Sequence, residues 1–242
     1  MRIEWPRRVA ALGQFRVEDI AHPVLSSDDE HHLRRVLRAR VGEEVVLSDG
    51  AGRWRFATVQ ANGLDVARET YADPPPPPTT LYLSPLKGDR GEWALAKATE
   101  VGVATVVPLV SARLAQRFRG EARDKVLQRW RRIAEETCAQ CRRTHDLVLA
   151  APVAPSEVPA DVAVADFSGS GDWRGVSAVA VGPEGGWAPE EWDASRRRLS
   201  LGPTVLRGET AAVLAAALVT FTNDSWGFTL REAAMGNDES NT

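Results

Sequence analysis

The sequence has no apolar run close to the roughly 20 residues that cross a bilayer; the longest, 211–221, has the length of a buried helix. The opening Met1-Arg-Ile-Glu-Trp-Pro6 lacks the apolar core of a signal peptide, so a cytoplasmic protein with no membrane partner is expected. Cysteine is nearly absent. Only Cys138 and Cys141 occur, which excludes a disulfide framework, and their C-x-x-C spacing lies inside a helical pattern without a second pair or a His set. Ordinary helix cysteines are expected there, and no metal. Two nucleotide signatures are also missing. Neither G-x-G-x-x-G followed by an acidic residue nor G-x-x-x-x-G-K-[ST] is present, which removes the motif basis for a dehydrogenase or a phosphoryl-transfer enzyme.

What is present is ordinary in bulk and uneven in detail. An apolar fraction of 43% with 26% charged residues over 242 residues describes a globular chain of one large or two modest domains. The formal charge of −3 hides a polarity: residues 113–143 carry ten Lys and Arg against four Asp and Glu, whereas 144–242 carry six against fourteen. A basic stretch in an acidic chain is the footprint of a polyanion partner; the alternative is a solvated amphipathic helix in a chain where 27 of 30 basic residues are Arg.

The clearest boundary is Asp73-Pro-Pro-Pro-Pro-Pro78, since consecutive prolines join neither a helix nor a central strand and form an extended spacer. Residues 1–72 are therefore read as one domain, 73–79 as a linker, 80–230 as a second domain and 231–242 as a disordered tail. In the first domain, Ser27-Asp-Asp-Glu30 reads as the cap and acidic first turn of a short helix over 31–38. Strands are expected over 43–48 and 53–59 around the turn Asp49-Gly50. Arg34, Arg35 and Arg38 on that helix, with Arg53 and Arg55 on the hairpin, are placed to form a basic face for phosphates. After the prolines, strands over 80–85, 104–110, 146–149, 161–165 and 177–181 alternate with helices over 91–102, 121–142, from 189 onward, and 210–221. That alternation predicts an α/β domain with a largely parallel sheet.

Two segments carry the functional signal: Val181-Gly-Pro-Glu-Gly-Gly186 and Leu201-Gly-Pro-Thr-Val-Leu-Arg-Gly-Glu-Thr-Ala211. Glycines where a strand leaves a sheet let backbone approach a ligand, and such sheets bind ligands at the C-terminal ends of their strands.

These segments, together with Lys87-Gly-Asp-Arg-Gly-Glu-Trp93, Lys97, Glu100, Gly102 and Cys138-Ala-Gln-Cys-Arg-Arg143, closely resemble the bacterial 16S ribosomal RNA uridine-N3 methyltransferases of the SPOUT superfamily. Residues 32–38 and the Ser48-Asp-Gly-Ala-Gly-Arg-Trp54 hairpin resemble the small, mostly-β PUA-like RNA-binding domain of that family. The resemblance covers essentially residues 1–225. It implies an α/β catalytic domain with a deep trefoil knot, S-adenosylmethionine as cofactor, a homodimer, and 16S rRNA, within the small ribosomal subunit, as partner. By motif position it implies a cofactor site at Val181, Gly182, Pro183, Glu184, Gly185, Gly186, Leu201, Gly202, Val205, Leu206 and Thr210. Arg113, Arg131, Arg142 and Arg143 in the basic stretch are expected to join the arginines above as RNA contacts. Four positions depart from the family pattern: Ala139 and Arg142 where E-Q-C-G-R is usual, Gly208 within the usual R-T-E-T, and His145 where a second basic residue is common.

Uracil N3–H is about as weak an acid as a phenol, with a pKa on the order of 10, so its proton must be removed or polarised. Glu209 is the candidate base, and Arg207 the candidate for stabilising charge on a uracil carbonyl or for holding a phosphate. Alternatively the two form a local ion pair, and Glu184 braces its loop. A non-catalytic RNA-binding ribosome-assembly factor is the competing function.

Overall fold

The computed structural model describes residues 4–112, 114 and 118–222, so Arg113 and the tail expected over 231–242 lie outside the described residues. The chain opens with helix α1 (Trp5–Ala10), whose Pro6 suits a first turn where the N–H has no helical acceptor. Strand β1 (Gln14–Arg16) pairs in parallel with β2 (Glu44–Ser48). The short helix between them, α2 (Ser27–His31), lies ahead of the helix expected over 31–38, and Ser26, not Ser27, is its cap, the hydroxyl accepting the N–H of Asp29 at 3.0 Å. It runs into a π-helical turn over His32–Val36, and Arg38 follows at φ +54°.

Strands β3 (Arg53–Val59), β4 (Leu64–Val66) and β5 (Tyr71–Ala72) complete this five-stranded sheet, with β3 antiparallel to β2, β4 and β5. The β2–β3 turn is held by Asp49, whose carboxylate accepts the N–H groups of Ala51 and Arg53 at 2.8 and 3.0 Å. Alternation then sends Val45 and Leu47 into a core with Phe15 and Leu33, and Val46, Trp54 and Phe56 to the other face, where Trp54 stacks on Tyr71 at 4.4 Å between centroids.

The second sheet holds β6 (Thr80–Leu83), β7 (Thr105–Pro108), β8 (Val148–Leu149), β9 (Ala163–Ser170), β10 (Ala178–Val181) and β11 (Arg198–Leu199), all parallel, in the order β11-β9-β10-β6-β7-β8. Helices α3 (Arg90–Val101), α4 (Gly120–Gln140) and α5 (Gly208–Phe221) cover one face. There Leu81, Leu83, Val179 and Val181 meet Leu95, Trp130, Ala134, Ala216 and Val219, while Ala180 and Val164 face Trp192 on the opposite side. Period two along each strand sets this division. α3 stops where Gly102 turns left-handed at φ +99°.

The helix expected from Pro189 is absent, and the chain makes turns there instead. The Asp193 carboxylate accepts the N–H of Ser195 at 2.8 Å, offering the backbone a local partner in place of the helical ladder. Trp187 and Trp192 pack edge to face at 5.0 Å across the first turn.

The two sheets are joined through the turn that ends α4. Gly52 N–H donates to Thr144 O and Asp146 N–H to Gly50 O, at 2.9 and 2.8 Å. Asp73, which starts the proline run, accepts Arg8 at 2.6 Å and the Thr144 hydroxyl at 2.7 Å.

Candidate active site

Strands β11, β9 and β10 are neighbours, so the loops at their C-terminal ends converge. They enclose a cleft of about 490 Å³, within the range of small-molecule sites. Val181, Gly182, Pro183, Glu184 and Gly186 line one wall, and Leu201, Gly202, Val205 and Leu206 another, which brings together nine of the eleven expected cofactor positions. Gly185 and Thr210 are not in the lining. Sequence reading missed the third wall, in which Asp166 and Phe167 extend from β9, and the contributions of Trp187, Trp192, Arg198 and Ser200. No glycine marks that wall, and only the strand order places β9 between the two loops.

The glycines are there for different reasons. A Cβ on Gly182 would lie 2.9 Å from the Trp187 ring, so the indole rather than a ligand requires a glycine at that position. Gly186 and Gly202 have open space beside them but sit at φ +67° and +130°, which L side chains rarely adopt. Gly208 faces Leu86, whose Cδ2 lies 2.9 Å from where its Cβ would be; the leucine takes the space that a larger residue would need at this position.

Two carboxylates fix the walls. Glu184 accepts the N–H of Lys87 at 2.9 Å and lies 3.7 Å from Arg90, tying the first loop to the loop after β6. Burial alone would raise its pKa, but the Lys87 N–H and the charges of Arg90 and Lys87 hold it below its ordinary value of 4.5. Asp166 pairs with Arg198 at 2.5 Å across the β9–β11 edge. Its burial is likewise outweighed by hydrogen bonds from Ser168 and Arg198, so it too is held down.

Arg207, at the N-terminal end of α5, is exposed, and Glu209 follows in the first turn; neither is in the cleft lining, although the neighbouring Gly208 and Ala211 are. Among the described residues the two form no ion pair, and Glu209 Oε2 is buried with no hydrogen-bond partner. A carboxylate oxygen not used by the fold is uncommon.

The expected RNA-contact arginines fall into two groups. Arg34 bonds Glu30 at 3.0 Å and Gly63 O at 3.1 Å, Arg53 bonds Asp49, and Arg55 donates to the carbonyls of Ile20, Ala21 and Ala67. Arg143 donates to Thr99 O and Val103 O at 3.0 and 2.8 Å, and Arg142 donates to Ala11 O at 2.6 Å. Arg35, Arg38 and Arg131 are exposed. Cys138 is buried and its thiol is pushed up to about 11, which leaves little reactive thiolate. Among the described residues there is no metal-binding cluster, and no helix is long and apolar enough to cross a membrane.

Known proteins share both halves of this architecture. Residues 73–220 match the family model of an RNA methyltransferase domain, and residues 25–65 that of an RNA methyltransferase PUA domain. Fold and cleft thus define an RNA methyltransferase with an appended PUA unit. The chain is 34% identical over 231 residues to a Mycobacterium bovis ribosomal RNA small subunit methyltransferase E, covering 84% of this chain and 87% of the relative. A Synechocystis protein of the same name is 30% identical, with 81% and 71% covered. The chain belongs to the ribosomal RNA small subunit methyltransferase E family. Among solved structures, a Neisseria gonorrhoeae member bound to S-adenosyl methionine superimposes with a TM-score of 0.71 at 27% identity, over 85% of this chain and 95% of that one. A Legionella pneumophila protein in complex with the cofactor SAM gives 0.72 at 26% identity, over 85% and 96%.

Proposed function

We propose that the protein methylates N3 of a uridine in 16S ribosomal RNA, using S-adenosylmethionine, and that it acts in the cytoplasm on the small ribosomal subunit. The cleft suits that cofactor: two walls are backbone at Gly182, Gly186 and Gly202, and Trp187 and Phe167 add aromatic surface. When bound, S-adenosylmethionine supplies an electrophilic methyl group carried on a sulfonium. Glu209 accepts the N3 proton, and Arg207 stabilises the negative charge that develops on a uracil oxygen. The observation that carries this reading is the buried, partnerless Glu209 Oε2 on the turn between two cleft-lining residues. In the same reading residues 1–72 grip RNA, residues 73–79 link them to a catalytic unit over 80–230, and the segments around the two glycine loops form the trefoil knot. Arg35, Arg38 and Arg131 face solvent and are assigned to phosphates.

The same reading makes the active unit a homodimer. On α5, Ala212, Ala215, Ala216 and Val219 are buried, while Val213, Leu214, Ala217 and the 48% exposed Phe221 form an apolar stripe on the opposite side. A helix apolar on both sides has a second surface to cover.

The test is Glu209→Gln, assayed by mass spectrometry of ribosomal RNA nucleosides. Turnover is expected to fall by roughly 10² to 10⁴ with cofactor and RNA still bound. Near-normal turnover would eliminate Glu209 as the base, and loss of either ligand would assign it to loop architecture. A non-catalytic assembly factor would bind no S-adenosylmethionine.

A further inference from the structure

A second cavity, of about 250 Å³, lies where the two sheets meet, away from the methyl-transfer cleft. Three guanidiniums, Arg8, Arg142 and Arg143, line it together with two carboxylates, Asp73 and Glu100. Each carboxylate already has a cation: Asp73 pairs with Arg8 at 2.6 Å, and Glu100 with Lys97 at 2.6 Å. Arg143 is held by backbone carbonyls at and just beyond the C-terminal end of α3. Arg142 differs. Among the described residues its guanidinium donates to Ala11 O and pairs with no carboxylate. Burial and then the nearby charge of Arg8 push its pKa down, as expected of a cation facing another cation without a counterion.

Its backbone sharpens the point. Arg142 sits at φ +63°, one of only two positive-φ non-glycine residues among those described. A glycine would adopt that conformation without strain, so the arginine is kept at a conformational cost. On the cavity rim Trp5 is 43% exposed, with its indole 4.6 Å from the Arg8 guanidinium. That Arg8 is already paired with Asp73, whereas Arg142 lines the same cavity without a counterion; an aromatic ring and an uncompensated cation in one cavity match one nucleotide of a single strand, with the base on the ring and the phosphate on Arg142.

We propose that this junction cavity is a secondary RNA subsite, taking one unpaired nucleotide of the substrate with its phosphate on Arg142 and its base against Trp5. The proposal rests on the RNA methyltransferase reading and adds to it a site spanning both structural units.

The deciding variant is Arg142→Gly in the full chain, which removes the cation at a position whose backbone favours glycine. Binding is measured with a single-stranded 16S rRNA fragment over a salt series, and cofactor binding by calorimetry. Affinity is expected to fall about tenfold, with the salt dependence flattened by roughly 0.7 to 0.9 log units for the lost phosphate contact. The melting temperature should hold or rise, and cofactor affinity should be unchanged. Trp5→Ala should weaken binding at least fivefold with the salt slope intact, as for loss of a stacked base. Unchanged affinity and slope in Arg142→Gly would overturn the proposal. So would an affinity loss accompanied by a lowered melting temperature and an unaltered slope, which would make Arg142 a latch between the sheets. Failure of the wild-type protein to bind RNA or S-adenosylmethionine would instead count against the methyltransferase reading itself.

Discussion

Gly182 and Gly186 lie four residues apart in one loop, yet substitution should expose different physics at each. An alanine methyl at 182 lies 2.9 Å from the Trp187 ring, which must move, and that ring lines the cleft proposed for the cofactor. Gly182→Ala is therefore expected to lose about 1–3 kcal/mol of stability through overpacking, and cofactor affinity along with it. Gly186→Ala has room but must hold φ +67°, so it should lose about 1–2 kcal/mol through backbone strain while leaving Trp187 in place. Denaturant unfolding and calorimetric titration of the two variants check this; normal cofactor affinity in Gly182→Ala would show that the indole does not shape the site.

Among the elements, α5 is the one that both proposals share, the catalytic residues and the dimer. Its N-terminal turn carries Arg207 and Glu209, its buried face packs on the parallel sheet, and its opposite stripe is apolar without belonging to the core. Leu214 lies mid-stripe and outside the core cluster, so Leu214→Glu should leave the fold intact and place a charge in the subunit contact. Light scattering is expected to give a monomeric mass for the variant and a dimeric one for the parent, with methylation lost in the monomer. A monomeric parent with full activity would remove the dimer from the proposal.

At the scale of the whole molecule, a small polar hub ties the two sheets together. Arg8 and Asp73 have side chains only 2% and 8% exposed, and Thr144 adds a hydroxyl to the same carboxylate. Removing one partner of a buried ion pair leaves an uncompensated charge and costs on the order of 3–5 kcal/mol. Asp73→Ala should show a loss of that size in urea unfolding, whereas a loss below about 1 kcal/mol would mean that the hub adds no more than a surface pair does. Asp73 also begins the proline run, so the expected spacer is anchored at its first residue.

Much of the catalytic unit was legible in the chain because its signals are local. Short apolar and β-branched runs marked β6, β7 and β10, helical patterns marked α3, α4 and α5, and glycines after β10 and β11 marked the two loops. Strand β3 was read to the residue, since the Asp49-Gly50 turn fixes its start. Other features depend on partners remote in sequence. β1 is three residues long and exists because β2 offers it a ladder; β4, of three residues, and β5, of two, depend on β3. Asp166 and Phe167 carry no motif, and strand order alone carries them to the cleft. The helix expected from Pro189 gave way to turns because Asp193 and a tryptophan pair supplied closer partners than a helical ladder. The arginines show the same division: composition revealed a positive field, but which guanidiniums hold carbonyls and which face solvent or a cavity was decided only by contacts between residues as far apart as Ala11 and Arg142.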